Sequence, residues 1–254
     1  MKIAVCIKQV PTREWQPRID ESHVAVREQD ASFELNEPDA YALEEALRLR
    51  EAHGGEVVVC TAGPSRSAQV LREALARGAD RAIHVEGDAL TREGAFTVAA
   101  ALAEALKDER FDLILTGLQS DDQGAGQTGV VLAEKLDLPH ASIVMDVQVA
   151  DGGLRVKREL EGGWFQWVRL PLPALLTIQS GINQLRYATL KGIMAAKKKE
   201  IRRVTPSRPA AAHVRVARLD VPRKTKQTQM IQGSGPDAAR DLVRRLRDEA
   251  RVIE

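Results

Sequence analysis

An excess of either charge is the first thing this sequence lacks. Its 254 residues include 37 Lys and Arg against 36 Asp and Glu, a formal net charge of +1. Because nucleic-acid binding depends on a positive field facing the phosphates, this balance gives no reason to expect a nucleic-acid partner. At this length, and with 44% hydrophobic residues, the chain can bury a full core. We expect one large domain, or one domain with an appendage.

Long apolar runs are also missing. No stretch approaches the roughly 18 consecutive apolar residues typical of a transmembrane helix. The start of the chain, MKIAVCIKQV, has a strand pattern rather than the basic region and apolar segment of a signal peptide. The sequence therefore predicts a cytoplasmic protein without stable membrane insertion.

Cysteine is scarce, and motifs for catalysis are absent. The two cysteines, Cys6 and Cys60, lie in apolar runs, which favours small buried side chains over a disulfide or a reactive thiol. Neither has a partner at metal-ligand spacing. The sequence has no G-x-x-x-x-G-K-[ST] motif, and its five histidines belong to no nucleophile elbow or metal motif. We therefore predict neither a metal site nor catalytic residues.

The first half of the sequence contains a regular alternation of strand and helix patterns. Short apolar runs predict buried strands at residues 2–7, 56–61, 81–85 and 112–116. Amphipathic stretches between them predict helices, the first of which we expect to be N-capped by Asn36. Such alternation is typical of parallel strands joined by right-handed helical crossovers, with ligand-binding loops at one edge of the sheet.

The pattern changes after Pro139. Period-two alternation with Gly-Gly and Pro-Leu-Pro turns predicts antiparallel hairpins. The strand candidates are residues 142–149, 154–160, 164–170 and 174–178. Nearer the start of the chain, residues 24–26 and 32–35 predict one more hairpin. We therefore expect a mostly parallel sheet with an antiparallel extension.

A glycine-rich loop follows the predicted strand at residues 112–116. It contains Gly124-Ala125-Gly126-Gln127-Thr128-Gly129, a G-x-G-x-x-G pattern that leads into a helix. Glycines at this spacing let the backbone approach a ligand, and the amides of a helix N-terminus favour a phosphate. An ordinary small-residue loop gives the same pattern. The loop is too long, and too late in the chain, for the NAD fingerprint. We expect Asp121 and Asp122 to bind ribose hydroxyls, to cap the helix or to hold the loop.

Basic residues are concentrated towards the end of the chain. The segment 187–203, YATLKGIMAAKKKEIRR, has an apolar front and a basic end, which fits either a solvated helix terminus or a docking surface for an acidic partner. Beyond it the sequence predicts an extended arm and a final helix that packs on a partner. The predicted organisation is a domain at residues 1–203 and an arm and helix at residues 204–254.

Several segments resemble one known family. MKIAVCIKQVP, LNEPDAYALEEALRLRE, ARGADRAIHV and YATLKGIMAAKKK are similar to segments of the electron transfer flavoprotein β subunit, in the same order. The pattern that most resembles the family signature consists of Val156, Arg158, Glu161-Gly162-Gly163, Gln166, Val168, Pro173 and Leu175-Leu176-Thr177.

The resemblance implies a Rossmann-like sheet of the adenine-nucleotide α-hydrolase type, with helices on both faces, an antiparallel extension and a C-terminal arm and helix. It also implies a heterodimer whose α subunit holds most of a redox-active FAD. The β subunit would complete the surroundings of the flavin and bind a structural AMP. Electrons would pass from flavin-dependent dehydrogenases to a downstream acceptor, so the chain would be an electron carrier subunit rather than an enzyme.

The family's functional positions can be carried over to this sequence. The resemblance implies a recognition loop at about residues 187–199, in which the docking residues are Leu190, Ile193, Met194, Lys197 and Lys198, with Lys199 behind them. It implies AMP contacts at Cys6, Asn36, Glu37, Pro38, Asp39, Ala62, Gly117, Leu118, Gln119, Ser120, Asp121, Asp122, Gln123, Gly124, Ala125, Gly126, Gln127 and Thr128.

Three alternatives stand beside this interpretation. In a bifurcating subclass of the family a second FAD replaces AMP, although Gln127-Thr128 is more similar to the AMP-binding members. A stand-alone regulator that binds adenine nucleotides would share the alternation and the loop, but it would not explain the hairpins, the basic segment or the arm. A nucleotide-using enzyme, such as an adenylating ligase, would need a base and a loop lysine that the sequence does not offer.

Overall fold

A computed structural model describes residues 1–91, 93–150, 152–206, 215–222 and 228–253. Contacts divide the chain into two units, Met1–Leu219 and Asp220–Glu254. The strands and helices of the first unit are β1 Lys2–Cys6, β2 Gln9–Pro11, β3 Phe33–Leu35, α1 Glu37–His53, β4 Glu56–Gly63, α2 Ala68–Arg77, β5 Arg81–Glu86, α3 Ala95–Leu106, β6 Leu113–Gly117, α4 Thr128–Lys135, β7 His140–Ala150, β8 Gly153–Glu159, β9 Phe165–Pro171, β10 Ala174–Ile178, α5 Leu190–Ala196 and β11 Ile201–Val204.

One mixed sheet organises the first unit. Within the described ranges it has nine strands in the order β11-β5-β4-β1-β6-β10-β7-β8-β9. The strands from β11 to β7 are parallel to one another, and β8 and β9 continue the sheet in antiparallel pairing. This confirms the predicted α/β class, with a mostly parallel sheet and an antiparallel extension.

Helices cover both faces of the sheet because alternate residues of each strand point to opposite sides. Val5, Val57 and Leu115 belong to the core beneath α1 and α2. Cys60 and Ile114 belong to a second core, which contains residues of α3 and α4. The central strands are therefore buried on both faces, as parallel strands in doubly wound folds are.

Two predicted strand pairings are wrong. The strand β10 does not form an antiparallel hairpin but lies between β6 and β7, parallel to both. All five of its residues are buried, which is the pattern of a central parallel strand. In place of the hairpin between residues 24–26 and 32–35, β3 pairs with β2, and Val26 forms a bridge with Ile19.

The basic segment contains both a helix and a strand. The short helix α5 is followed by β11, which the sequence pattern did not predict because Arg202 and Arg203 interrupt its apolar residues. The strand pairs with β5 at the edge of the sheet, where its arginines reach Glu109 and Glu86.

The second unit contains the helix α6, Gly235–Asp248. Ser234 caps it by accepting a hydrogen bond from the backbone N–H of Asp237. The predicted arm falls partly outside the described residues, at 207–214 and 223–227, as does Asp151 in the first Gly-Gly turn. Among the described helices, none is both long and apolar enough to cross a membrane.

Candidate functional site

A cleft opens where three neighbouring parallel strands end. The carboxyl ends of β4, β1 and β6 supply Ala62, Cys6 and Gly117 to its wall. The carboxyl edge of such a sheet is where ligands of open α/β proteins bind. The cleft is open on one side, and its volume is about 920 Å³ when the solvent space at its mouth is included.

Most residues predicted to contact AMP line this one cleft. Five do not, namely Glu37, Pro38, Asp121, Asp122 and Gly124. The sequence analysis also missed other lining residues, which lie on the same strands, on α3 and α4, and in the segments between these elements. The lining residues that were not predicted are Ile7, Lys8, Gln9, Cys60, Thr61, Ser67, Leu90, Glu93, Ala95, Val98, Leu102, Thr116 and Gly129.

The buried carboxylate of Asp39 joins two of the strand ends. Its Oδ2 accepts a hydrogen bond from the backbone N–H of Lys8 at 2.7 Å, and its Oδ1 accepts one from the N–H of Gly117 at 2.9 Å. Burial raises the pKa of Asp39 to about 7, although these two N–H groups and Asn36 favour the ionised form. The first turn of α1 is therefore fixed against β1 and β6.

The side chain of Asn36 fixes the loop that follows β6. Its Nδ2 donates to the carbonyl of Gln119 at 3.0 Å, and its Oδ1 accepts from the N–H of Asp121 at 2.9 Å. Asn36 occupies the N-cap position of α1, as expected, but its side chain makes no capping bond. The predicted capping role is therefore wrong, because both polar atoms bind the loop instead.

The two acidic residues of the loop are engaged by protein groups. The Nζ of Lys8 lies 2.7 Å from Oδ1 of Asp122 and 3.3 Å from Oγ of Ser120. Asp121 accepts a hydrogen bond at 3.3 Å from the N–H of Glu37, at the start of α1. Of the roles considered for Asp121 and Asp122, these contacts match holding the loop.

The glycines of the G-x-G-x-x-G stretch have different structural roles. Gly124 and Gly126 have φ of +61° and +63°, a left-handed conformation that glycine adopts readily. At Gly129 an added Cβ would lie 2.5 Å from Oγ1 of Thr116 and 2.7 Å from Cγ2 of Thr177. The third glycine therefore lets α4 approach the sheet closely.

The start of α4 is open towards the cleft. Gln127 is its N-cap residue but makes no side-chain capping bond, and both Gln127 and Thr128 line the cleft. The first N–H groups of a helix have no partner within the helix, and the helix dipole favours an anion at this end. This arrangement can hold a phosphate or carboxylate group.

Two polar atoms of the cleft residues have no hydrogen-bond partner within the described part of the chain. They are Oε1 of Gln9 and Oγ1 of Thr61, and both atoms are buried. Buried polar atoms of folded proteins are almost always paired with protein, water or ligand. Together with the open helix start, they fit a ligand that offers an anion and further polar groups, as a nucleotide does.

The cysteines are adjacent in this cleft. Cys6 and Cys60 are register partners on β1 and β4, and both thiols are free and buried. The hydrogen bond with Cys60 and burial raise the pKa of the Cys6 thiol well above its usual value. Because the thiolate is the reactive form, the predicted small buried side chains agree with this environment.

The predicted docking residues lie on α5 and directly after it, and none of them lines the cleft. Leu190 is 84% exposed and Met194 is 62% exposed, which is unusual for large apolar side chains. The loop before α5 is anchored by Arg186, which donates to both carboxylate oxygens of Glu44 at 3.0 Å. The hydrogen bonds and charge of Glu51 and Glu44 raise the pKa of Arg186 above its usual value.

The fold and the cleft define a doubly wound α/β protein with an open cleft at the carboxyl edge of its sheet. The model of the family described as "Electron transfer flavoprotein domain" matches residues 24–209. The chain belongs to the electron transfer flavoprotein family.

Three of the relatives that this chain matches are named "Electron transfer flavoprotein subunit beta". The one from Methylophilus methylotrophus is 39% identical and the alignment covers 96% of this chain and 97% of the relative. The one from Bacillus subtilis is 34% identical, with 90% and 91% covered. The human one is 33% identical, with 99% of both chains covered. The predicted family is thereby confirmed.

Proposed function

We propose that this chain is the β subunit of a heterodimeric electron transfer flavoprotein and that its cleft holds a structural AMP. The observation that carries this proposal is the pairing of an open helix start with unpaired polar atoms in one cleft. The phosphate would lie at Gln127 and Thr128, where backbone N–H groups favour an anion.

The rest of the cleft would hold the nucleoside part of AMP. The loop that leads to Gln127 and Thr128 follows β6, and Thr61 and Ala62 belong to β4, with β1 between the two strands. Two strand spacings separate β4 from β6 by about 10 Å. Leu90, Val98 and Leu102 add an apolar wall for the base. Asp39 and Asn36 would act on the ligand indirectly, by holding the loop and the strand ends in place.

The chain would have no substrate chemistry of its own. The FAD supplies redox chemistry when it is bound by the α subunit, and this chain would complete its surroundings. The exposed apolar residues of α5, with Lys197 and Lys198 after them, would dock on flavin-dependent dehydrogenases, where lysines favour an acidic rim. The C-terminal arm and α6 would pack on the α subunit. We place the complex in the cytoplasm.

The experiment that tests the proposal is nucleotide extraction from the copurified heterodimer. We expect one AMP and one FAD per heterodimer, a flavin absorption band in the complex, and no strong colour in this chain alone. Two flavins and no AMP would indicate the second-FAD arrangement. A colourless protein that forms a stable homodimer and copurifies with no second chain would indicate a regulator and would overturn the proposal.

The docking role has its own test. Substituting Leu190→Ala removes the most exposed aliphatic side chain of α5, so electron transfer from a dehydrogenase to the heterodimer should slow. The AMP content should not change, because α5 supplies no residue to the cleft, and the flavin content should not change, because the α subunit would hold most of the FAD. An unchanged rate of electron transfer would remove the docking role and leave the nucleotide proposal intact.

A further inference from the structure

The helices α2 and α5 cap each other through two cations. Arg72 of α2 donates from Nη1 to the carbonyls of Ala196, at 2.5 Å, and Lys199, at 2.9 Å. In return, Lys199 donates from Nζ to the carbonyls of Leu75, at 3.1 Å, and Ala79, at 2.5 Å. The last carbonyls of a helix have no partner within the helix, and cations are favourable there. Each helix segment thus supplies a cation that binds carbonyl groups at the C-terminal end of the other helix.

A glycine lets the two helices approach closely enough for this exchange. A Cβ at Gly192 would lie 2.2 Å from the carbonyl oxygen of Ala76 and 3.2 Å from Oγ1 of Thr189. Any other residue would push α5 away from the backbone of α2. On the same side of α5, Ala196 is only 3% exposed and belongs to the main core.

The lysines at the end of α5 are consequently not equivalent. Lys199 is directed into the carbonyls of α2, and burial lowers its pKa, although Asp80 acts in the opposite sense. Lys197 and Lys198 are exposed. Only the latter two belong to the surface that also carries Leu190 and Met194.

We propose that Arg72, Gly192 and Lys199 are positioning residues that hold α5 in a preformed conformation for docking. The proposal rests on the docking role given to α5 under the proposed function. A helix of seven residues is unstable on its own in water, so without the capping contacts it would have to be ordered on binding. Preorganisation removes that ordering penalty and so lowers the concentration at which a partner binds.

The test uses the intact heterodimer and a flavin-dependent dehydrogenase chosen because it reduces the wild-type complex. Arg72→Met and Gly192→Ala should each raise the KM for the heterodimer by about tenfold, the effect of losing one or two charge-assisted hydrogen bonds. The kcat should stay within about twofold, because bound α5 still presents the same side chains. Hydrogen exchange at the amides of residues 190–196 should be faster in both variants.

Matched variants separate positioning from general stability. Arg77→Met makes the same substitution on α2, where the guanidinium of Arg77 bonds to Glu73 of its own helix, so KM and exchange should match the wild type. Arg72→Lys retains a cation and should recover part of the lost affinity. The AMP and FAD contents should be unchanged in all variants. If Gly192→Ala does not fold, the same measurements are made on Arg72→Met and Lys199→Met.

Each result decides the proposal. Faster exchange in α5 with an unchanged KM would overturn it, since order in α5 would then not matter for docking. Unchanged exchange in Arg72→Met would also overturn it, since the caps would then not hold the helix. If Leu190→Ala leaves the rate unchanged, the docking role itself fails, and that result is distinct from either of the others.

Discussion

The backbone N–H of Gly117 donates to Oδ1 of Asp39 across 2.9 Å, although 78 positions separate the two residues in the sequence. The same carboxylate accepts from Lys8 through its other oxygen. One side chain in the first turn of α1 therefore sets the spacing of two strand ends that line the cleft. The shape of the site therefore depends on a buried residue that binds the backbone N–H groups of Lys8 and Gly117.

The pH dependence of stability should report on Asp39. Burial raises its pKa to about 7, so the folded chain holds this proton more tightly than the unfolded chain does. Protonated Asp39 therefore favours the folded chain over the unfolded chain. This contribution to stability is fully present below about pH 4 and is lost as pH rises through 7. Asp39→Asn removes the titration. The unfolding free energy of the wild type minus that of the variant should fall by about 2–3 kcal/mol between pH 5 and pH 8.

Urea unfolding at several pH values measures this difference. Glu14→Gln, at an exposed carboxylate, is the control for the loss of one negative charge. A difference between wild type and Asp39→Asn that does not change with pH would contradict the assigned role of burial.

Adding one methyl group at Gly117 should disturb the same contact. A Cβ there would lie 2.4 Å from Oδ1 of Asp39 and 2.7 Å from the backbone of Pro38. Relief requires α1 to move away from β6, so Gly117→Ala should destabilise the chain by about 2 kcal/mol or more and lower its nucleotide content. Gly235→Ala is the control, because no atom lies within 4 Å of its added Cβ. Equal melting temperatures for the two variants would argue against this packing.

A second prediction of pH dependence concerns the opposite edge of the sheet. The carboxylate of Glu109 pairs with Lys2 at 2.9 Å, Arg81 at 2.8 Å and Arg202 at 2.8 Å, and so links β1, β5 and β11. Partial burial would raise the pKa of Glu109, but the hydrogen bonds from Arg81 and Lys2 lower it to about 2. Ionised Glu109 therefore favours the folded chain. This contribution to stability is present above about pH 4.5 and is lost as pH falls towards 2.

Glu109→Gln should destabilise the chain by about 1–2 kcal/mol at pH 7, since it weakens several charge-assisted hydrogen bonds to one carboxylate that is only 17% exposed. Denaturant unfolding at pH 7 and pH 3 should show a smaller difference from the wild type at pH 3. Arg203→Gln, which removes an exposed pair with Glu86, should have little effect at either pH. A Glu109→Gln variant as stable as the wild type at pH 7 would refute the linking role.

The spacing of apolar residues predicted the helices and strands that have one or two buried faces, because buried positions are occupied by apolar residues. It could not assign the partner of β10, since a short apolar run after the Pro171-Leu172-Pro173 turn fits either a hairpin or a central strand. The strand β11 was missed because its arginines reach carboxylates that only the folded chain brings close. The pairing of β2 with β3 depends on contacts between distant residues, and sequence pattern carries little information on such contacts.

For the cleft, the glycine spacing and the resemblance identified residues that do lie together. The contributions of Lys8 and Thr61 were missed for different reasons. Lys8 is a single lysine after a strand, and only its contact with Asp122 distinguishes it from a surface residue. Thr61 completes a hydrophobic strand pattern, and its unpaired hydroxyl is a property of the folded surroundings. The role of Asn36 was misassigned because a cap and a loop contact require the same residue type.

Substitution of Thr61 should have opposite effects on the empty and the nucleotide-bound protein. A buried hydroxyl without a partner is unfavourable, so Thr61→Val should leave the nucleotide-free heterodimer as stable as the wild type or slightly more stable. If the hydroxyl bonds to the nucleotide, the same change should weaken AMP binding by about fivefold to tenfold. Thr61→Ser keeps the hydroxyl and should bind AMP within about twofold of the wild type. Melting temperatures with and without AMP, together with AMP titration, measure both effects. Equal destabilisation by Thr61→Val in both states would mean that the hydroxyl serves the fold alone, because a ligand contact acts only when the ligand is bound.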